Sequence, residues 1–170
     1  MYLKSFVQGS AAGVAMRARR ATQVRVRDVM TNEVRSCSPE TSLAVAAAIM
    51  WEGDCGALPV VENGRVTGII TDRDVCITLG TRDRLPRTVL VRDAGTTSII
   101  ACAPDDDLRT ALDAMGRCKV RRLPVVDAEQ QIRGIVSLND IILRADRMLG
   151  NALSYDEVTQ TLKCVCAHRS

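Results

Sequence analysis

Two short motifs hold the residues best suited to chemistry. Gly68-Ile-Ile-Thr71-Asp-Arg-Asp74 and Gly134-Ile-Val-Ser137-Leu-Asn-Asp140 share the pattern Gly-x-x-Thr/Ser-x-x-Asp. Each reads as a strand that ends in a hydroxyl-bearing cap and passes into a helix. A helix N-terminus presents free N–H groups and a positive dipole end, which favour a phosphate. Thr71 or Ser137 adds a hydroxyl at the same place. Asp74 or Asp140, one turn on, can accept hydrogen bonds from two neighbouring hydroxyls, as a ribose presents them. Gly68 and Gly134 let a ligand or another backbone come close. Together these parts suit a nucleotide. Ser or Thr with Asp three residues later is also a plain capping pattern. Recurrence in the same context, each time after a Gly-apolar-apolar strand, turns the reading toward binding.

The recurrence runs through most of the chain. Val26-Arg27-Asp28 returns 65 residues later as Val91-Arg92-Asp93, Pro39 as Pro104 and Met50 as Met115. Leu58-Pro59-Val60-Val61 returns as Leu123-Pro124-Val125-Val126, and one residue is gained before the second junction. A single copy of about 55–60 residues buries too little surface to be comfortably stable alone. Two copies packed face to face solve that problem and create two equivalent clefts.

Each copy is predicted to run strand, helix, strand, strand, helix. In the first these fall at residues 34–37, 42–52, 57–61, 65–70 and from 71 to about 79. Gly53 and Gly80 are the expected helix stops, and Asn63-Gly64 the tight hairpin turn. In the second they fall at 99–102, 107–116, 122–126, 131–136 and from 138 to about 147, with a looser turn at 127–130. The domain boundaries that follow are a basic arm at 1–24, the first copy at 25–80, a connector at 81–89, the second copy at 90–147 and a C-terminal helical extension at 148–170. Ser154 and Glu157 form a capping box that opens the extension's helix. Its stripe of Val158, Leu162 and Val165 needs a partner surface.

The 170 residues are 46% hydrophobic, enough for a core, but only 2% aromatic, which argues against a stacking platform for single-stranded nucleic acid. Residues 1–35 carry seven basic and two acidic side chains, and the remainder 16 and 18, so the positive charge sits in the arm. The seven cysteines are an odd number, which points to a reducing compartment and a cytoplasmic protein. Cys37 and Cys102, at equivalent positions, are expected in the core. No apolar stretch reaches the length of a membrane span. Catalysis finds little support. The single histidine, His168, lies in the tail, and no nucleophile elbow, phosphate-cradling loop or His-Glu metal motif is present. Asp72 and Asp74 point apart on a helix, and Cys164, Cys166 and His168 match no common zinc spacing.

Over residues 24–147 the chain resembles a pair of cystathionine-β-synthase-type (CBS) domains, the arrangement called a Bateman module. The resemblance rests on residues 26–31 (VRDVMT), the two Leu-Pro-Val-Val runs and the two Gly-x-x-Thr/Ser-x-x-Asp junctions. It implies an α/β fold of two tandem three-stranded sheets with flanking helices and pseudo-twofold symmetry. It also implies adenosine-type ligands in the clefts: AMP, ADP, ATP or S-adenosylmethionine, sometimes NAD or cyclic dinucleotides. By that analogy Asp74 and Asp140 hold ribose hydroxyls, with Thr71 and Ser137 beside the ribose or phosphate. Arg121 and Arg122, before the second Leu-Pro, are the expected phosphate contacts. Gly56 and Ala57, before the first, offer shape without charge, and Arg73 is a further possible cation. Gly95 stands where the pattern has Met, so the second copy's opening helix is expected to be irregular. The expected function is regulatory sensing of an adenosyl small molecule, with no required cofactor, signalled through a homodimer to an effector protein in trans. The alternatives are an interaction module with empty clefts, or nucleic-acid association through Arg17, Arg19, Arg20, Arg25 and Arg27. Nucleic acid and membrane are not the expected partners.

Overall fold

The computed structural model describes residues 23–95, 98–144 and 153–167. The basic arm up to residue 22 and His168 lie outside these, as do residues 145–152. In chain order the elements are α1 (Leu43–Glu52), β1 (Ala57–Glu62), β2 (Arg65–Thr71), α2 (Asp72–Arg82), α3 (Leu108–Cys118), β3 (Arg122–Val126), β4 (Ile132–Ser137), α4 (Leu138–Arg144) and α5 (Tyr155–Cys166). Short 3₁₀ turns occupy Val26–Asp28, Pro86–Thr88 and Val91–Asp93. No helix among the described residues is long and apolar enough to cross a membrane.

Each copy is built on one antiparallel hairpin, β1–β2 or β3–β4. Asn63 and Gly64 take the positive φ values, 50° and 78°, that a two-residue turn requires. The second turn is longer but tied down. Asp127 accepts the backbone N–H groups of Glu129 (3.0 Å) and Gln131 (2.8 Å) and the Arg133 Nε–H (2.8 Å). These donors hold its carboxyl below the usual carboxylate range. The expected third strands shrink to single parallel bridges, Cys37 to Val60 and Cys102 to Val125. Cys37 spends its N–H on Pro59 and its carbonyl on Val61. The chain then turns away at Ser38, whose N–H is held by Thr41 Oγ1 at 3.0 Å, so pairing stops after one residue.

Two segments that open the copies in sequence close the opposite copies in space. Val26 and Val29 are fully buried in a cluster with Leu108, Met115, Leu123 and Ile141 of the second copy. Val89 and Val91 are buried with Leu43, Leu58 and Ile70 of the first. The backbone bonds repeat at the same spacing. Val26 N–H donates to Asp106 and Arg27 N–H to Pro104; Val91 N–H donates to Thr41 and Arg92 N–H to Pro39. Each hydrophobic cluster is therefore composite, with its body from one repeat and its strap from the start of the other.

Gly80 does not end α2. The helix continues to Arg82 and stops at Asp83 in the left-handed conformation (φ 46°); Thr81 donates back to the Ile77 carbonyl at 2.7 Å. Both opening segments form a 3₁₀ turn, so Gly95 does not make the second one irregular.

The C-terminal helix α5 opens at the expected capping box, with Ser154 Oγ accepting from Glu157 N–H and Glu157 Oε2 accepting from Ser154 N–H. It docks on α3, but through Val158, Thr161 and Val165 rather than Leu162, which is exposed. Gly116 of α3 lies against this face: a Cβ there would meet Cys164 Cβ at 3.6 Å and Thr161 Cγ2 at 3.9 Å, ordinary contact distances. Thr161 can be buried because its hydroxyl donates to the Glu157 carbonyl (3.1 Å). Arg109 Nε donates to Glu157 Oε1 at 2.6 Å, and that bond leads the effects that pull the Glu157 carboxyl down to about 2 from an ordinary 4.5.

Two outcomes follow. Val91→Ala removes two methyl groups from a buried strap and should destabilise by about 2 kcal/mol in urea. Trp51 fluorescence and far-ultraviolet dichroism should still report one shared transition, because the strap couples the copies. Glu157 contributes stability above its unfolded value, lost as pH falls through the folded one. The melting temperature should therefore drop between pH 4.5 and about 2, and less steeply in Glu157→Gln.

Candidate functional site

Both junctions form, and each is locked by a reciprocal pair of side chains. Thr71 Oγ1 accepts the Asp74 N–H at 3.2 Å. Asp74 Oδ2 accepts the Thr71 N–H at 2.9 Å and the Thr71 hydroxyl at 2.7 Å. The second junction repeats this. Ser137 Oγ accepts the Asp140 N–H at 3.1 Å, and Asp140 Oδ2 accepts the Ser137 N–H at 3.0 Å and hydroxyl at 2.6 Å. The capping reading of the motif is thus realised in both copies. It does not exhaust the carboxylates. The bonds to the carboxylates all land on Oδ2, and Oδ1 of Asp74 and of Asp140 takes none from the described residues. All four side chains are half-buried. A carboxylate fixed by two donors through one oxygen, with the other oxygen turned over to outside donors, is suited to a ligand diol.

The strand register sets what faces each cap. Ala57 pairs with Thr71, and Arg122 pairs with Ser137. The first helical N–H groups are taken up from the facing strand: Asp72 N–H by the Gly56 carbonyl at 3.3 Å, Leu138 N–H by the Arg121 carbonyl at 2.9 Å. Arg122 does more than its own junction requires. A Cβ at Gly56 would stand 3.3 Å from Arg122 Nη2 and 2.9 Å from Asp72 Oδ2. The guanidinium of the second copy therefore reaches the first junction, beside Gly56, and supplies the charge that Gly56 and Ala57 lack. The sequence held a signal for this, since an Arg in one copy faces a Gly in the other. Asp72 Oδ2 stands at the same spot beside Gly56, which its spacing from Asp74 alone does not reveal. Arg121 and Arg73 are exposed.

At Gly134 the chain itself comes close: a Cβ there would lie 2.8 Å from Met30 Sδ and 2.9 Å from the Thr31 carbonyl oxygen. Gly68 lines a cleft with Val60, Val91 and Gly95. The cysteines supply no nucleophile in the core. Burial pushes the Cys37 thiol up to about 11 and the Cys102 thiol up to about 12. Cys164 and Cys166 lie along α5, and among the described residues no group of three or more His, Cys, Asp or Glu gathers around a metal-sized space.

With this geometry in hand, the chain can be set beside known proteins. A family model described as CBS domain matches residues 26–80 and 91–146. The CBS domain-containing protein YhcV of Bacillus subtilis is 34% identical over 131 residues, covering 76% of this chain and 92% of that protein. An inosine-5′-monophosphate dehydrogenase of Methanocaldococcus jannaschii is 33% identical over 127 residues, which is 74% of this chain but 23% of the enzyme. The crystal structure of the CBS domain pair of protein MJ0100, solved in complex with 5′-methylthioadenosine and S-adenosyl-L-methionine, superposes with a TM-score of 0.66 at 23% identity, covering 77% of this chain and 99% of that one.

Because Thr71 and Ser137 cap their helices, Thr71→Ala and Ser137→Ala should each lower stability by about 1 kcal/mol in chemical denaturation. A double variant should lose the sum, since the two boxes share no partner.

Proposed function

The chain belongs to the CBS-domain family as a tandem pair, and from that premise we propose that it is a regulatory module that reversibly binds an adenine nucleotide or adenosyl ligand at its two strand-to-helix junctions. The observation that carries this is the first junction, where Asp74 is held through Oδ2 alone and Arg122 Nη2 stands beside Gly56, an arrangement suited to a ribose diol and a phosphate. Thr71 and Ala57 fix that cap against the sheet. At the second junction Asp140 and Ser137 supply the same parts, with Arg121 on the flanking loop. A half-buried guanidinium prefers a doubly bonded anion, so AMP, ADP or ATP suits the first junction better than an uncharged nucleoside. The ligands named for the MJ0100 pair, 5′-methylthioadenosine and S-adenosyl-L-methionine, support the adenosyl class.

The ligand acts as a signal rather than a substrate. It shifts the two copies only to the extent that it binds one arrangement better than another. The matched dehydrogenase, aligned over 23% of its length, supports a module that acts on a larger partner. Helix α1 supports pairing with a second copy. By the repeat it corresponds to α3, whose outer face α5 covers, and in α1 Trp51 is 88% and Val45 51% exposed. The seven free thiols fit a cytoplasmic setting.

Isothermal titration with AMP, ADP, ATP, S-adenosylmethionine and adenosine tests the reading. Binding of at least one phosphate-bearing member is expected, with Arg122→Ala weakening it about 10- to 100-fold while leaving adenosine nearly unchanged. Absence of heat with the whole panel leaves the interaction module, working through α1, as the function.

A further inference from the structure

One pair of equivalent residues differs beside a cleft that lies away from both junctions. Met30 and Gly95 occupy the same repeat position. In the second unit the Met30 side chain lies against Gly134 and packs on the core cluster. In the first unit Gly95 carries no side chain to lay over Gly68, and a cleft of about 330 Å³ remains. Val60, Gly68 and Val91 form its apolar wall; Glu40, Glu62 and Arg92 stand at its polar side. Val60 and Gly68 are strand partners. They lie three residues along the hairpin from the Ala57–Thr71 pair, about 10 Å away.

We propose that this cleft binds a free α-amino acid with an unbranched apolar side chain, of the methionine or norleucine kind. The ligand's side chain takes the place that Met30 fills in the second unit. Its carboxylate meets Arg92 and its ammonium meets Glu62. Arg92 pairs with Glu40 through Nη1, and a guanidinium with five donors has capacity for a second carboxylate. Two carboxylates against one guanidinium make the polar side net negative, which suits a zwitterion and opposes a nucleotide. The volume lies at the lower end of small-molecule sites, as a ligand of this size requires.

Thermal denaturation of the full chain with L-methionine and L-norleucine tests the proposal, with hexanoate as an anion that lacks the ammonium. The two amino acids should raise the melting temperature saturably, by about 3 °C at ten times the dissociation constant; hexanoate should not. Arg92→Ala, at a half-exposed position that leaves the fold intact, should abolish the rise. So should Gly95→Met, which refills the cleft; a Cβ there meets the Val91 carbonyl oxygen at 3.2 Å, so Arg92→Ala decides if that variant is unstable. Saturating AMP should leave the amino-acid shift unchanged, which separates this site from the nucleotide reading. No shift with either amino acid, a shift that survives Arg92→Ala, or competition by AMP overturns the proposal.

Discussion

The exchange of straps is the constraint from which the rest of the structure follows. Val26 and Val29 can leave water only against the second repeat, and Val89 and Val91 only against the first. Neither repeat has a closed core without the opening residues of the other. That dependence makes the pair one cooperative body despite the small size of each half. It also aligns the two hairpins across the pseudo-dyad. Thr31 exchanges backbone bonds with Ile135 (2.9 and 3.0 Å), and Val66 N–H donates to Gln130 (3.0 Å). With the hairpins so held, Arg122 of one copy arrives beside Gly56 of the other.

On the proposed reading, one set of atoms at the junctions serves folding and binding together. The Thr71–Asp74 and Ser137–Asp140 boxes satisfy helix N–H groups that would otherwise need water. In doing so they freeze each aspartate in one rotamer before any ligand arrives. A preorganised acceptor gives up less conformational entropy on binding than a mobile one. Capping and the proposed ligand recognition are then compatible, since the first would prepare the second. The charge is not shared evenly, because Arg122 lies at the interface while its counterpart position in the first copy is Ala57.

Much of this was legible in the sequence. The duplicated spacing gave the paired architecture, and Asn63-Gly64, Ser154–Glu157 and the two caps gave turns and helix starts to the residue, because each is a local rule with a local cause. What escaped was set by tertiary contact. Residues 34–37 and 99–102 carry apolar residues fit for strands, yet only Cys37 and Cys102 pair, since the turns at Ser38 and Ala103 lead the chain away. Leu162 looked like the docking residue of α5, but Thr161 turns inward instead, its hydroxyl satisfied within the helix by the Glu157 carbonyl. The swapped straps could not be read at all. The motif at Val26 and its copy at Val91 are the same letters, and nothing local says which repeat each one closes. The meaning of Gly95 was hidden for a related reason: its effect is on a void over Gly68, not on its own turn.

Hydrogen–deuterium exchange of the full chain, with and without saturating ATP, bears most directly on the central claim that the two capped junctions hold an adenosyl ligand. The account predicts slowed exchange concentrated at the first turns of α2 and α4 and at residues 56 and 57. Unchanged exchange at both first turns, with any protection confined to α1 or α5, would contradict it.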